Sequence, residues 1–111
     1  MKQERYYDYM LRKMKEEDMS EMIEYKFDEA KYITEFKNYI DSTYGQHYAK
    51  DKFQATEFIM DGGHGTGFCV GNVLKYAQRY GKKGSREDAR KDMMKVLHYA
   101  LMQLYIHDNE L

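Results

Sequence analysis

Apolar side chains recur every three or four positions along most of the chain, which is the spacing that places them on one face of an α-helix. Residues 3–18 carry a loose stripe of this kind, and a clearer stripe runs from Ser20 to Tyr44. Ser20 is suited to cap the start of the second stretch, and Gly45 is suited to end it. The pattern therefore predicts a long N-terminal helical arm over residues 1–44, as two helices or as one continuous helix.

The same periodicity returns after a break and predicts three more helices within residues 45–111. The predicted elements are a connection over 45–53, a short helix over 54–60, a glycine-rich loop over 61–67, and helices over 68–80 and 85–107. Ser85 and Asp88 form a variant of the capping box at the start of the last helix, and Gly81 is placed to end the helix before it.

The last two predicted helices would form an antiparallel hairpin closed by the turn Gly81-Lys82-Lys83-Gly84. One apolar stripe of the last helix is predicted to face the core, and its residues are Met93, Leu97, Ala100, Leu101 and Leu104. The chain as a whole is therefore predicted to be all-α, with a helical arm, a short helix and a C-terminal helical hairpin.

The composition supports a helical domain with a thin core. The chain has 111 residues, a mean hydropathy of −0.92 and 33% charged residues, which is polar for a folded domain. Its 12 Tyr, 9 Met and 5 Phe nevertheless supply large apolar bodies, and the lack of proline favours helices. A domain of this size buries little apolar surface by itself, so we expect a homo-oligomer.

The sequence argues against several classes of protein and of site. No apolar run approaches the roughly 20 residues that span a membrane, and residues 1–5 have mixed charge without the apolar stretch of a signal peptide. The single cysteine, Cys69, cannot form an internal disulfide, which favours a reducing cytoplasm. No C-x-x-C or H-x-x-x-H spacing indicates a structural metal site.

Basic residues are concentrated around the predicted hairpin. Residues 75–95 contain eight basic and three acidic residues, although the whole chain has a net charge of −1. On a helix, the side chains of Asn72, Lys75, Tyr76 and Arg79 share one face. This row is suited to bind an anion such as a phosphate, whereas the low total charge argues against a nucleic acid as partner.

Several of these residues also have a purely structural interpretation. Lys75 and Arg79 could form ion pairs with Asp92 or Glu57 across the hairpin instead of binding a phosphate. Asn72 could hydrogen-bond the backbone instead of reading the edge of a base. The sequence leaves both alternatives open for each residue.

The glycine-rich segment and the aromatic residues are equally open to two interpretations. Residues 62–67 could present backbone N–H groups to an anion or form a plain loop, and they are not a Walker A motif, because Phe68 and Cys69 follow them. Tyr76 and Tyr99 could stack on a base or pack within the hairpin.

Spaced motifs over the second half of the chain resemble a known family. The matching residues are His47-Tyr48, Ala55, Glu57, Ile59, Cys69-x-Gly71-Asn72-x-x-Lys75-Tyr76-x-x-Arg79-x-Gly81-Lys82-Lys83 and Lys91-Asp92-x-x-Lys95-x-x-x-Tyr99. This set resembles the bacteriophage SaV-like family (domain of unknown function 3310), which includes the small metal-independent deoxynucleotide kinase of T7-type phages.

The resemblance implies a phage nucleotide-binding protein of kinase type in the host cytoplasm. It implies phosphoryl transfer from a nucleoside triphosphate to a deoxynucleoside monophosphate, with no metal cofactor. Catalytic roles are expected for Arg79, Lys75 and His47. Substrate binding is expected for Asn72, Tyr76, Lys82, Lys83, Glu57, Asp92, Lys95 and Tyr99. The alternatives are a non-catalytic oligomer that sequesters a nucleotide and a helical interaction protein that acts on a host factor.

Overall fold

A computed structural model describes residues 5–45 and 49–110 of the chain. Across these residues it contains five α-helices and no strand, which confirms the all-α fold class. The helices are α1 (Tyr6–Met22), α2 (Glu29–Tyr44), α3 (Ala49–Asp61), α4 (Gly65–Arg79) and α5 (Arg86–Glu110). None of the described helices is both long enough and apolar enough to cross a membrane.

The break between the first two helices lies later than the sequence pattern indicates. Ser20 belongs to α1 and does not cap α2, which begins at Glu29. The reason is local, because Asp28 has a positive φ of 56° and the backbone N–H of Phe27 donates to the Glu29 carboxylate at 2.7 Å. Apolar spacing carries no information about such a turn, so the prediction of one helix from residue 20 to residue 44 is wrong.

The glycine-rich segment contains a loop of only three residues, 62–64, between α3 and α4. Only Gly63 of this segment has a positive φ, and α4 already begins at Gly65. Gly65 is buried, and a Cβ at this position would lie 2.9 Å from Cδ1 of Ile106 and 3.1 Å from Cγ of Met60. Glycine at the start of α4 therefore permits a close approach to α5 and α3, and the predicted loop over residues 61–67 is too long.

The start of α5 and the end of α4 agree with the sequence-based prediction. The N–H of Ser85 donates to Oδ2 of Asp88 at 2.9 Å, and the N–H of Asp88 donates to Oγ of Ser85 at 3.2 Å. Hydrogen bonding from Ser85 lowers the pKa of Asp88 below its ordinary value. Gly81 has a φ of 75°, as expected for a glycine that follows a helix.

The chain divides into two units, Met1–Glu35 and Phe36–Leu111, and the candidate site lies in the second. There α4 packs along α5, and α3 contacts α4. Thr66 near the start of α4 accepts a hydrogen bond from Gln103, and Arg79 at the end of α4 contacts Asp92 near the start of α5. The two pairs fix α4 against α5 at both ends.

The buried face of α5 differs from the predicted one. Met94, His98 and Ile106 are buried together with Asp92, whereas Leu97, Leu101 and Leu104 are 44–65% exposed. The prediction assumed that the continuous apolar stripe faces the core. In the structure two polar residues, Asp92 and His98, occupy buried positions of α5, and the leucine stripe lies on the outside.

Candidate functional site

Three cations surround the ring of Tyr76 where α4 lies against α5. Nζ of Lys75 lies 4.4 Å from the ring centre, Nζ of Lys95 lies 4.9 Å away, and Cζ of Arg79 lies 5.0 Å away. Lys75 and Arg79 are four positions apart on α4 and so share a helical face, and Lys95 joins them from α5. Contact with the electron-rich ring face offsets part of the mutual repulsion of these charges, and the cluster attracts an anion.

Arg79 and Asp92 form an ion pair between the two helices. Nη2 of Arg79 donates to Oδ1 of Asp92 at 2.7 Å, and Nε donates to the same oxygen at 3.2 Å. Asp92 is only 1% exposed, and its hydrogen bonds raise the pKa of Arg79. The ion-pair alternative that the sequence left open is therefore present for these two residues.

Arg79 still has a free donor face. Its side chain is 48% exposed, and Nη1 makes no hydrogen bond within the described part of the chain. A guanidinium held rigidly on one side by Asp92 can donate to a ligand from the other side with little loss of side-chain entropy.

A groove of about 300 Å³ lies beside this ion pair, and we call it the cationic groove. It is lined by Arg79, Lys83, Gly84, Asp88, Lys91, Asp92 and Lys95. Both carboxylates already have partners, Asp92 in Arg79 and Asp88 in Ser85. No carboxylate among residues 5–45 and 49–110 pairs with the three lysines within 4.0 Å. The groove therefore has an uncompensated positive charge that suits a phosphate.

Lys91 was absent from the predicted site residues, although it lines this groove. Lys91 and Lys95 are four positions apart on α5, so their side chains lie on one face. The same spacing rule that grouped the α4 residues could have identified this second pair.

An aromatic cavity of about 130 Å³ adjoins the cationic groove. Its lining residues are Tyr39, Lys52, Phe53, Thr56, Tyr76, Lys95, His98, Tyr99 and Met102. The rings of Tyr76 and Tyr99 are stacked, with centres 5.9 Å apart and an interplanar angle of 10°. Burial raises the pKa of Tyr99, so its phenol stays protonated at neutral pH. Lys95 lines both the aromatic cavity and the cationic groove, so the two are neighbours.

His98, to which the sequence assigned no role, is the least expected member of this cavity. It is 6% exposed, and its ring meets those of Phe36 and Tyr39 edge-on. Burial lowers its pKa, with a smaller contribution from the charge of Lys52. The imidazole is therefore neutral at pH 7.

Other predicted site residues lie apart from the groove. Asn72 donates from Nδ2 to the carbonyl of Phe68 at 2.8 Å, so its amide is engaged with its own helix. Glu57 is exposed and lines a different, more apolar cavity of about 350 Å³ that also includes His98. Lys82 is exposed in the turn, where its backbone N–H donates to the carbonyl of Arg79. His47 lies outside the described residues.

Neither the glycine-rich segment nor a metal cluster adds to the site. The segment contributes no residue to the cationic groove or to the aromatic cavity. Among the residues that the structure describes, no group of three or more His, Cys, Asp or Glu side chains could hold a metal ion.

Comparison with known proteins places the second half of the chain in a family. A family model described as "Protein of unknown function (DUF3310)" matches residues 42–100, which is more than half of the chain. The match includes every residue that lines the cationic groove and all those that line the aromatic cavity except Tyr39 and Met102. No curated protein and no solved structure matches the chain. The chain belongs to the DUF3310 family.

Proposed function

We propose that this protein binds a nucleotide with its phosphates in the cationic groove and transfers a phosphoryl group from a nucleoside triphosphate to a deoxynucleoside monophosphate. The observation that carries the proposal is the groove itself. Three lysines and Arg79 converge there, and the only carboxylates that line it are already hydrogen-bonded. The resemblance to the phage kinase suggests the reaction and the setting, the host cytoplasm during infection.

The chemistry of the transfer needs positioning and positive charge more than covalent participation. A phosphate oxygen of the acceptor attacks the γ-phosphorus of the donor, the bond to the β,γ-bridging oxygen breaks, and a nucleoside diphosphate leaves. Lys83, Lys91 and Lys95 would neutralise the phosphates as point charges, and Nη1 of Arg79 would donate to the transferred group. The resemblance implies that these cations replace the metal ion that other kinases use.

One observation favours a second function, the sequestration of a nucleotide without turnover. Arg79 already donates hydrogen bonds from Nε and Nη2 to the buried carboxylate of Asp92. An arginine committed in this way holds a phosphate in place but has less freedom to follow the charge that develops in a transition state. Binding without product would identify this function.

The test measures binding and turnover in the same set of variants. Wild-type protein is titrated with nucleoside triphosphates and with the four deoxynucleoside monophosphates by calorimetry. It is then incubated with a radiolabelled triphosphate and each monophosphate, in buffer containing a chelator. We expect micromolar to millimolar binding and labelled diphosphate as product.

Lys91→Gln and Lys95→Gln are the informative variants, and Lys50→Gln is the matched control. Each groove variant should weaken binding of the triphosphate by about tenfold, because a charge-assisted contact contributes roughly 1.5–3 kcal/mol and the groove is partly exposed. Lys50 is exposed on α3 and lines neither the groove nor the aromatic cavity, so its variant should bind like wild type. Unchanged affinity in both groove variants would refute the proposal.

We also propose that copies of this chain associate through the exposed leucine stripe of α5. Leu97, Leu101 and Leu104 are 44–65% exposed and share one helical face. A second copy is the partner expected for a domain with so thin a core. Sedimentation of wild type should show a homo-oligomer that Leu101→Gln and Leu104→Gln dissociate, and a monomeric wild type would contradict this.

A further inference from the structure

We propose that the aromatic cavity receives the base of the nucleotide and that the His98 imidazole hydrogen-bonds the edge of that base. This inference rests on the function proposed above and adds a base-reading residue to it. His98 is not among the site residues predicted from the sequence.

The first argument is that His98 is buried without a hydrogen-bond partner. The residue is 6% exposed, and no hydrogen bond joins either ring nitrogen to another residue of the described chain. Its neighbours Phe36 and Tyr39 present ring edges at centre distances of 6.4 and 6.1 Å, which fix the orientation of the imidazole. Both nitrogens are therefore uncommitted to the protein, and because the ring lines the aromatic cavity they are available to a ligand that enters it.

The second argument concerns the chemistry of that partner. Because burial keeps His98 neutral, its ring offers one donor and one acceptor nitrogen. The edges of nucleobases carry donors and acceptors side by side. Tyr76, Tyr99 and Phe53 line the same cavity and supply aromatic surfaces against which a base packs. A planar, polar-edged, uncharged ring system matches both features.

The third argument is the position of the cavity relative to the phosphates. Lys95 lines both the aromatic cavity and the cationic groove, so a base in the cavity would lie next to phosphates in the groove. A ligand with an aromatic base joined through a sugar to phosphates has this distribution of groups. A bare polyphosphate would use the groove and leave the cavity unused.

The experiment separates recognition of the base from recognition of the phosphate. Affinities of the full-length protein are measured for the four deoxynucleoside monophosphates and for deoxyribose 5-phosphate, which lacks a base. His98→Phe keeps an aromatic ring between Phe36 and Tyr39 but removes both nitrogens. His107→Phe is the matched control, since His107 is exposed on the same helix and lines none of the three cavities described above.

We expect wild type to bind at least one monophosphate more tightly than deoxyribose 5-phosphate. His98→Phe should weaken binding of that nucleotide by about five- to tenfold, the effect of one lost hydrogen bond. The affinity for deoxyribose 5-phosphate should not change. His107→Phe should change neither affinity. Equal affinities of wild type for the nucleotide and the base-free sugar phosphate would overturn the inference while the proposed phosphate site stands.

A second measurement on the wild-type chain covers the case in which His98→Phe does not fold. The imidazole Cε1–H resonances are followed by NMR during titration with the tightest monophosphate. The His98 resonance should shift with the nucleotide and not with deoxyribose 5-phosphate, whereas a His98 resonance that ignores both ligands overturns the assignment. A wild-type protein that binds no nucleotide overturns the proposed function together with this inference.

Discussion

Removing the guanidinium of Arg79 should destabilise the fold because it leaves the Asp92 carboxylate buried and unpaired. Asp92 is 1% exposed, and within the described part of the chain its carboxylate accepts side-chain hydrogen bonds from Arg79 alone, at 2.7–3.4 Å. Breaking a buried ion pair from one side costs about 3–5 kcal/mol. Arg79 itself is half-exposed, so water can reach part of the vacated space, and we expect Arg79→Ala to lower the free energy of unfolding by about 2–4 kcal/mol.

The assay is urea unfolding, followed by the circular dichroism of the helices, in a double-mutant cycle. Asp92→Asn removes the charge at nearly constant volume, and the double variant lacks both charges. We expect the double variant to be more stable than Arg79→Ala alone, because no uncompensated carboxylate is left in the core.

An exposed ion pair in the same unit provides the control. Lys37 and Asp41 are 3.0 Å apart, but their side chains are 75% and 59% exposed. Lys37→Ala should therefore cost no more than about 0.5 kcal/mol. The reasoning would be refuted if Arg79→Ala lost no more free energy of unfolding than Lys37→Ala. It would also be refuted if the double variant were no more stable than Arg79→Ala alone. The result also bears on function, because a loss of binding in Arg79→Ala would then have a structural cause.

Three further predictions concern stability. Burial lowers the pKa of His98, so below about pH 6.5 the unfolded chain takes up a proton more readily than the folded chain. The free energy of unfolding should therefore decrease as the pH is lowered below this value. In urea titrations, His98→Phe should remove this part of the decrease. Gly65→Ala should lower the free energy of unfolding by about 1–3 kcal/mol, because the added methyl group overpacks the contact with Ile106. Gly67→Ala has open space around its Cβ and should raise the free energy of unfolding by about 0.5–1 kcal/mol. Ser85→Ala should cost about 1 kcal/mol by removing the cap of α5, and no change in its melting temperature would contradict the cap.

The type of each element could be predicted from apolar periodicity, but several boundaries could not. Apolar spacing does not reveal the left-handed backbone conformation of Asp28, after which α2 begins at Glu29. A run of glycines predicts a loop, whereas Gly65 belongs to α4 and is a glycine because a side chain there would collide with Ile106. Capping chemistry is local and specific, and for that reason Ser85 was identified correctly.

The candidate site was partly predictable because helical spacing is a strong geometric constraint. It placed Lys75, Tyr76 and Arg79 on one face, and the structure brings Lys95 to them from α5. His98 was missed because pattern analysis assigns apolar residues to the core. A buried histidine on α5 has no spacing that distinguishes it from a surface histidine.

Chemical-shift mapping of the wild-type protein tests the central claim, phosphate binding in the cationic groove, most directly. A nucleoside triphosphate is added to uniformly labelled protein, and both backbone amide and lysine side-chain resonances are followed. We expect the largest shifts at Lys83, Lys91 and Lys95, with smaller ones at Lys37 and Lys50. Shifts centred away from the α4–α5 turn, or no shifts at millimolar nucleotide, would contradict it.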